Sequence, residues 1–254
     1  MEENRVADIP FEAFCDGKFR KIDFPTHITI LGKTGSGKSY LASKLIDSVE
    51  NLFQKSGISN ILVVLSPHED VEEIMRKKLG DRWTIIHFTV NAFNQETIDR
   101  MLLYLDGNKI LGREVFVLID DLAIQIHKAN STNLFLIKTF AVLRHHNISL
   151  FITVQNATPI IMDIIQNCSL VFIMQSFGSF ATMTKIIRFF VGLINVPNLL
   201  RKIYPLLESN EKGAYICINL SHDADKNRQF TISNNISGNV GFTKRYLQML
   251  SMNI

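Results

Sequence analysis

Short apolar runs alternate with amphipathic segments along most of the chain. Thr26 to Leu31 (THITIL) is an apolar run that ends at a glycine, and from Lys38 onward Leu41, Leu45, Ile46, Val49 and Leu52 recur at helical spacing. The order is strand, loop, helix. Ile58 to Leu65 predicts a second strand, stopped at Ser66-Pro67, and the acid-rich His68 to Lys78 a second helix. Trp83 to Val90 and Gln95 to Leu105 repeat the pair. Val115 to Ile119 (VFVLI) is apolar on both faces, the signature of a central, fully covered strand, and it delivers Asp120 and Asp121 at its end. Asn133 to Arg144 then reads as helix, Ile148 to Val154 as strand, Pro159 to Asn167 as short helix and Leu170 to Met174 as strand. This alternation predicts an α/β domain with a mainly parallel central sheet flanked by helices.

Beyond Thr182 the rhythm changes. A helical stretch to about Leu207 is broken at Pro197 and Pro205, Ala214 to Leu220 and Arg228 to Ser233 suggest a hairpin, and Phe242 to Leu250 a terminal helix. The expected organisation is an N-terminal extension (1–20), a core (21–194) and a small C-terminal α+β elaboration of the same domain (195–254). With 254 residues, 46% of them hydrophobic, the chain suits one well-packed domain.

Charge and cysteine content narrow the function classes. A net charge of +3 argues against wholesale coating of nucleic acid, so any DNA contact is local; Lys128, Lys185 and Arg188 are candidates for it. Cys15, Cys168 and Cys217 are far apart and form no C-x-x-C pair, which points away from a disulfide framework or zinc site and toward a reducing compartment. Residues 1–20 lack the apolar stretch of a signal peptide, so secretion by that route is not expected. Between Asn147 and Thr184 the only charge is Asp163, yet Gln155, Asn156, Pro159, Gln166, Asn167 and Gln175 interrupt the run. Buried parallel strands explain it better than a membrane span.

The residues that carry chemistry begin at Gly32-Lys33-Thr34-Gly35-Ser36-Gly37-Lys38-Ser39, a complete G-x-x-x-x-G-K-[ST] P-loop between a predicted strand and a predicted helix. Its glycines let successive N–H groups face phosphate oxygens. Lys38 supplies a mobile positive charge, Ser39 a hydroxyl for Mg²⁺, and the helix that starts here the positive end of its dipole. Tyr40, next in line, joins the candidate nucleotide contacts. The cofactors expected are ATP and Mg²⁺.

Asp120, at the end of a buried strand, reaches the same crevice and is the candidate to hold Mg²⁺ through a water. Asp121 is the candidate to orient or deprotonate the attacking water, although many such ATPases place Glu there. Gln155 ends the next strand and is a candidate to read the γ-phosphate. Arg144 is the candidate arginine finger for a neighbouring subunit, in competition with Arg113 and Arg188; an arginine closing a helix is also favoured there by the helix dipole. His145 and His146 lack metal-ligand spacing and read as a polar turn.

Taken in order, the P-loop, Leu65-Ser66-Pro67, Ile119-Asp120-Asp121, Arg144-His145-His146-Asn147 and Thr153-Val154-Gln155 resemble the poxvirus-type virion DNA-packaging ATPases of the HerA-FtsK superfamily, found in large DNA viruses, virophages and related mobile elements. The likeness covers roughly residues 20 to 180. It implies a RecA-like (ASCE) P-loop NTPase core, a homo-oligomeric ring that is a hexamer, and ATP hydrolysis at subunit interfaces driving double-stranded DNA into a capsid. It also implies partners at the capsid vertex and a place in the host cytoplasm, virus factory or virion.

Other classes fit less well. A P-loop kinase for a small substrate needs an Arg-rich lid, and residues 156–184 contain no arginine. A GTPase needs N-K-x-D, whereas Asn108-Lys109 is followed by Ile110-Leu111. An assembly switch that binds nucleotide without turnover stays open, because Asp121 stands in place of Glu.

Overall fold

The computed structural model describes residues 27–53, 60–81, 83–90, 95–108, 110, 115–121, 139, 141–155, 167–174, 179–191, 197, 200–201, 215–219, 229–235 and 238–243. In chain order the elements are β1 (His27–Leu31), α1 (Lys38–Phe53), β2 (Asn60–Ser66), α2 (Val71–Leu79), β3 (Trp83–Thr89), α3 (Gln95–Gly107), β4 (Val115–Ile119), β5 (Ile148–Val154), β6 (Leu170–Met174), α4 (Phe180–Val191), β7 (Tyr215–Asn219), β8 (Gln229–Asn235) and β9 (Gly238–Thr243). Residues 141–145 add a helical turn before β5.

Among the described residues nine strands form one sheet, in the order β3-β2-β4-β5-β1-β6-β7-β8-β9. The first six in that order run parallel, and β7, β8 and β9 continue the sheet antiparallel. The first described strand therefore lies in the middle: β1 sits between β5 and β6, and β5 separates it from β4. Parallel strands all end at the same edge, so the residues after β1, β2, β4 and β5 share one crevice.

Burial on both faces explains why these strands read as continuous apolar runs. One face packs Ile28, Ile30, Leu62, Val64, Phe116, Leu118, Phe151 and Phe172 with Leu41, Leu45 and Ile46 of α1 and Val71, Met75 and Leu79 of α2. Trp83 meets Phe116 edge-on with ring centres 5.3 Å apart, and Phe172 meets Tyr215 in the same way at 5.4 Å. The opposite face buries Leu31, Val63, Leu65, Val117, Ile119, Leu150, Ile152, Val154, Val171 and Ile173. The charge-poor stretch from Asn147 to Thr184 contains β5 and β6, both buried throughout, and the start of α4. Among the described residues no helix is long and apolar enough to cross a membrane.

The C-terminal part differs from expectation at one point. The hairpin forms between β7 and β8, but it joins the main sheet through β6 and gains a third strand, β9. Phe242 and Thr243, expected to open a terminal helix, close β9 instead, because backbone pairing with Gln229 and Phe230 holds them extended. Residues 244–254, the 1–20 extension and the expected helix after Pro159 up to residue 166 lie outside the described residues.

Candidate nucleotide site

The P-loop grows directly out of β1. Gly32 N–H donates to Val154 O at 2.9 Å, carrying the β1–β5 ladder one step past the strand and locking the loop's first residue to β5. A Cβ at Gly32 would overlap Ser36 Oγ and lie 2.8 Å from Met174 Cβ, so only glycine fits between the loop and β6. Gly35 and Gly37 have φ of +77° and +94°, which L side chains rarely adopt. Ser36 N–H closes a turn onto Lys33 O at 3.1 Å, and Leu41 N–H onto Gly37 O at 2.8 Å starts α1. The first N–H groups of that helix, Tyr40 included, lack intrahelical acceptors and suit an anion.

Two side chains of the loop also suit phosphate. Ser36 Oγ is buried with no hydrogen-bond partner among the described residues. Lys38 is 7% exposed and its Nζ donates to Lys33 O at 3.0 Å. Burial pushes the Lys38 ammonium below its ordinary pKa, against the opposing pull of Asp121 and Asp120. A buried ammonium whose Nζ donates to a backbone carbonyl is a strong attractor for a polyanion.

The acids meet the loop through β5. Register pairs Ile119 with Ile152, so Asp120 and Thr153 come side by side just beyond them. Thr153 Oγ1 donates to Asp120 Oδ1 at 2.7 Å, and Asp121 N–H donates to the same hydroxyl at 3.3 Å. Asp120 N–H bonds Leu65 O at 3.0 Å, extending the β4–β2 ladder. Burial raises the Asp120 carboxyl above the usual carboxylate range, and the neighbouring Asp121 adds to this, while Thr153, Lys38 and His68 work the other way.

Asp121 turns aside in the left-handed region at φ +58°. Aspartate tolerates that conformation better than longer acids do, which gives a local reason for the absence of Glu. Its Oδ1 accepts from Gln155 Nε2, whose Oε1 in turn accepts from Thr34 Oγ1 at 2.9 Å. His68 Nε2 lies 3.8 Å from Asp121 Oδ2. Thr34, Gln155, Asp121 and His68 thus form a continuous line across the crevice.

The donor set fits a magnesium ion. Ser39 and Asp120 offer hard oxygen ligands at the loop and strand ends, and a buried carboxylate is stabilised by a nearby cation. Among the described residues no group of three or more His, Cys, Asp or Glu could hold a metal. A cation here would complete its shell with phosphate and water oxygens, as Mg²⁺ commonly does.

Other candidates lie elsewhere. The Tyr40 ring is exposed, with Lys78 Nζ 5.2 Å and Lys44 Nζ 5.9 Å from its centre. Arg144 precedes β5 and is exposed, and its charge acts on the buried His27 and Cys168 where β1 and β6 begin. It therefore sits at the opposite edge of the sheet from the P-loop, about 15 Å away at roughly 3.3 Å per strand residue. Lys185 and Arg188 are exposed on α4. Arg113 and Lys128 are outside the described residues.

Sequence reasoning did not single out Thr153 or His68 as site residues. A hydroxyl inside the otherwise apolar end of β5, two positions before Gln155, was the available signal for Thr153. His68 carried none, because its approach to Asp121 depends on β2 lying beside β4.

The sequence matches the family described as Helicase HerA, central domain, over residues 21–239. No curated protein sequence matches the chain. Among solved structures, the DNA-packaging ATPase B204 of Sulfolobus turreted icosahedral virus is similar in fold, with a TM-score of 0.54, 13% identity and coverage of 83% of this chain and 97% of that one. The genome packaging NTPase B204 of Sulfolobus turreted icosahedral virus 2 in complex with AMPPCP gives a TM-score of 0.52 at 13% identity, with the same coverage of 83% and 97%. Its complex with ATP-gammaS is similar to the same degree.

Proposed function

The chain belongs to the HerA central-domain family of P-loop NTPases, and on that premise we propose that it is a Mg²⁺-dependent ATPase that translocates double-stranded DNA, packaging a viral genome into a capsid. The observation that carries hydrolysis is the convergence of Lys38, Asp120, Asp121 and Gln155 at one sheet edge, tied together by Thr153 and Thr34.

In this reading the glycine-rich loop and the start of α1 cradle the phosphates through backbone N–H groups. Lys38 moves from Lys33 O to the β- and γ-phosphates. Ser39 and Asp120 would hold Mg²⁺, the latter through a water, and the bound ion would supply positive charge against the phosphates. Asp121 orients the attacking water, and Gln155 registers the γ-phosphate and transmits its state to Thr34 and Asp121. Arg144, at the far edge, serves a neighbouring subunit's site in a homo-oligomeric ring, a hexamer. DNA packaging is supported by the similarity to the two viral packaging enzymes, and it would set the chain at a capsid vertex in the host cytoplasm or a virus factory.

The test is phosphate release from ATP. It is expected to need Mg²⁺, to rise with double-stranded DNA and to vanish in Lys38→Ala. Stimulation by a nucleoside with formation of its monophosphate would instead mark a kinase. Nucleotide binding without turnover in any assembled form would mark a switch.

A further inference from the structure

We propose that His68 is a positioning residue for hydrolysis, holding the Oδ2 side of Asp121 while Gln155 holds the Oδ1 side. The inference rests on the ATPase reading above.

Asp121 is one methylene shorter than Glu, and its backbone leaves the extended strand conformation for the left-handed region at φ +58°. A short carboxylate in that posture needs support on both oxygens to present one fixed lone pair to a water. Oδ1 already has it from the Gln155 amide, which is itself held by Thr34. On the other side His68 Nε2 lies 3.8 Å from Oδ2. A hydrogen bond needs about 2.8–2.9 Å, so a closure of about 1 Å completes the clamp.

The backbone prepares His68 for this. Ser66 is buried at the end of β2, and its Oγ accepts from His68 N–H at 3.1 Å, folding Pro67 and His68 into a tight turn at the crevice mouth. Ser66 O accepts from Val90 N–H at 3.1 Å, which ties the same turn to the end of β3. These bonds hold the main chain, while 57% of the His68 side chain is exposed. An exposed contact of this kind contributes little to folding, so its place beside Asp121 points to a role in the site.

The experiment uses the full chain in its assembled, DNA-stimulated form and measures kcat, KM for ATP and melting for His68→Ala, His68→Gln, Asp121→Asn and the double variant His68→Ala with Asp121→Asn. Misplacing a catalytic group by about 1 Å can cost up to roughly a hundredfold, so His68→Ala is expected to lower kcat roughly tenfold, with KM and melting unchanged. His68→Gln, which keeps an N–H donor at similar reach, is expected to recover most of that loss. The double variant is expected to be no slower than Asp121→Asn alone, because a clamp has no function without the carboxylate it holds. An unchanged kcat in His68→Ala, a change in KM alone, no recovery in His68→Gln, or losses that multiply in the double variant would each overturn the proposal. Absence of turnover in the unaltered protein would overturn the ATPase reading and this inference with it; normal turnover with an indifferent His68 overturns the inference alone.

Discussion

Thr34 of the P-loop and Gln155 of the strand end are joined side chain to side chain, hydroxyl to amide oxygen, at 2.9 Å and across 121 positions of sequence. The bond orients the Gln155 amide, with its oxygen toward the loop and its nitrogen toward Asp121. A γ-phosphate can accept from the amide nitrogen but repels the amide oxygen, so arrival of the anion should rearrange the line. Gln155→Ala is expected to leave nucleotide affinity within about threefold while kcat falls on the order of 10- to 100-fold. Thr34→Val, which removes only the hydroxyl, should give a smaller kcat loss in the same direction. Steady-state hydrolysis beside a fluorescent-nucleotide titration measures both, and loss of binding in Gln155→Ala would contradict the role.

Asp120 sets function against stability. Burial favours its neutral form, so its contribution to folding is fully present below the unfolded carboxylate pKa and is lost as pH rises through the raised folded value. At neutral pH the carboxylate therefore strains the ligand-free protein. Asp120→Asn keeps an oxygen to accept from Thr153 and is expected to raise the melting temperature at pH 7, with the gap narrowing toward pH 4. The same variant should lose Mg²⁺-dependent turnover by about 100-fold or more. A lower melting temperature at pH 7 would show that the charge is stabilising.

His27 makes the fold acid-sensitive. It is fully buried, and desolvation, aided by the Arg144 charge and opposed by a bond to the Ile148 backbone, lowers its pKa to about 3. The stability tied to its neutral form is present above the unfolded value near 6.5 and lost as pH falls toward 3, a change on the order of 4–5 kcal/mol. His27→Gln removes the titrating ring and keeps a polar side chain. Melting curves from pH 7 to pH 3 should be flatter for this variant, and an equal slope would remove His27 as the cause.

Arg144 stands too far from its own P-loop to serve it. Arg144→Ala is expected to bind nucleotide normally as an isolated chain and to lose roughly 10³-fold or more of the assembled turnover. Mixing it with Lys38→Ala subunits should restore activity, since each supplies what the other lacks. Failure of mixed assemblies to recover would argue against a finger acting between subunits.

Much of this architecture was legible because a parallel sheet covered on both faces leaves long apolar runs. β4, β5 and β6 begin and end where VFVLI, ISLFITV and LVFIM do. The P-loop was legible because phosphate binding by backbone demands glycine at set positions. The relation of His68 to Asp121 was not, because it depends on strand order, which local pattern does not encode. β9 escaped notice for another reason: GNVGFT has two glycines and weak alternation, and pairing with β8 rather than intrinsic preference makes it a strand.

The central place of β1 also bears on how the molecule is made. Its two neighbours lie far downstream, and Thr29 shares a hydrogen bond with Cys168 across 139 positions. On the ribosome, β1 and the loop it carries emerge before either flanking strand, meet β5 first, and are enclosed on both sides only once β6 has left the exit tunnel. Closing so long a loop is entropically costly and slows folding. The nucleotide cradle is thus synthesised well before the strands that wall it in, and a nascent chain stalled before Leu170 would hold a P-loop sequence without the β6 wall against which Gly32 packs.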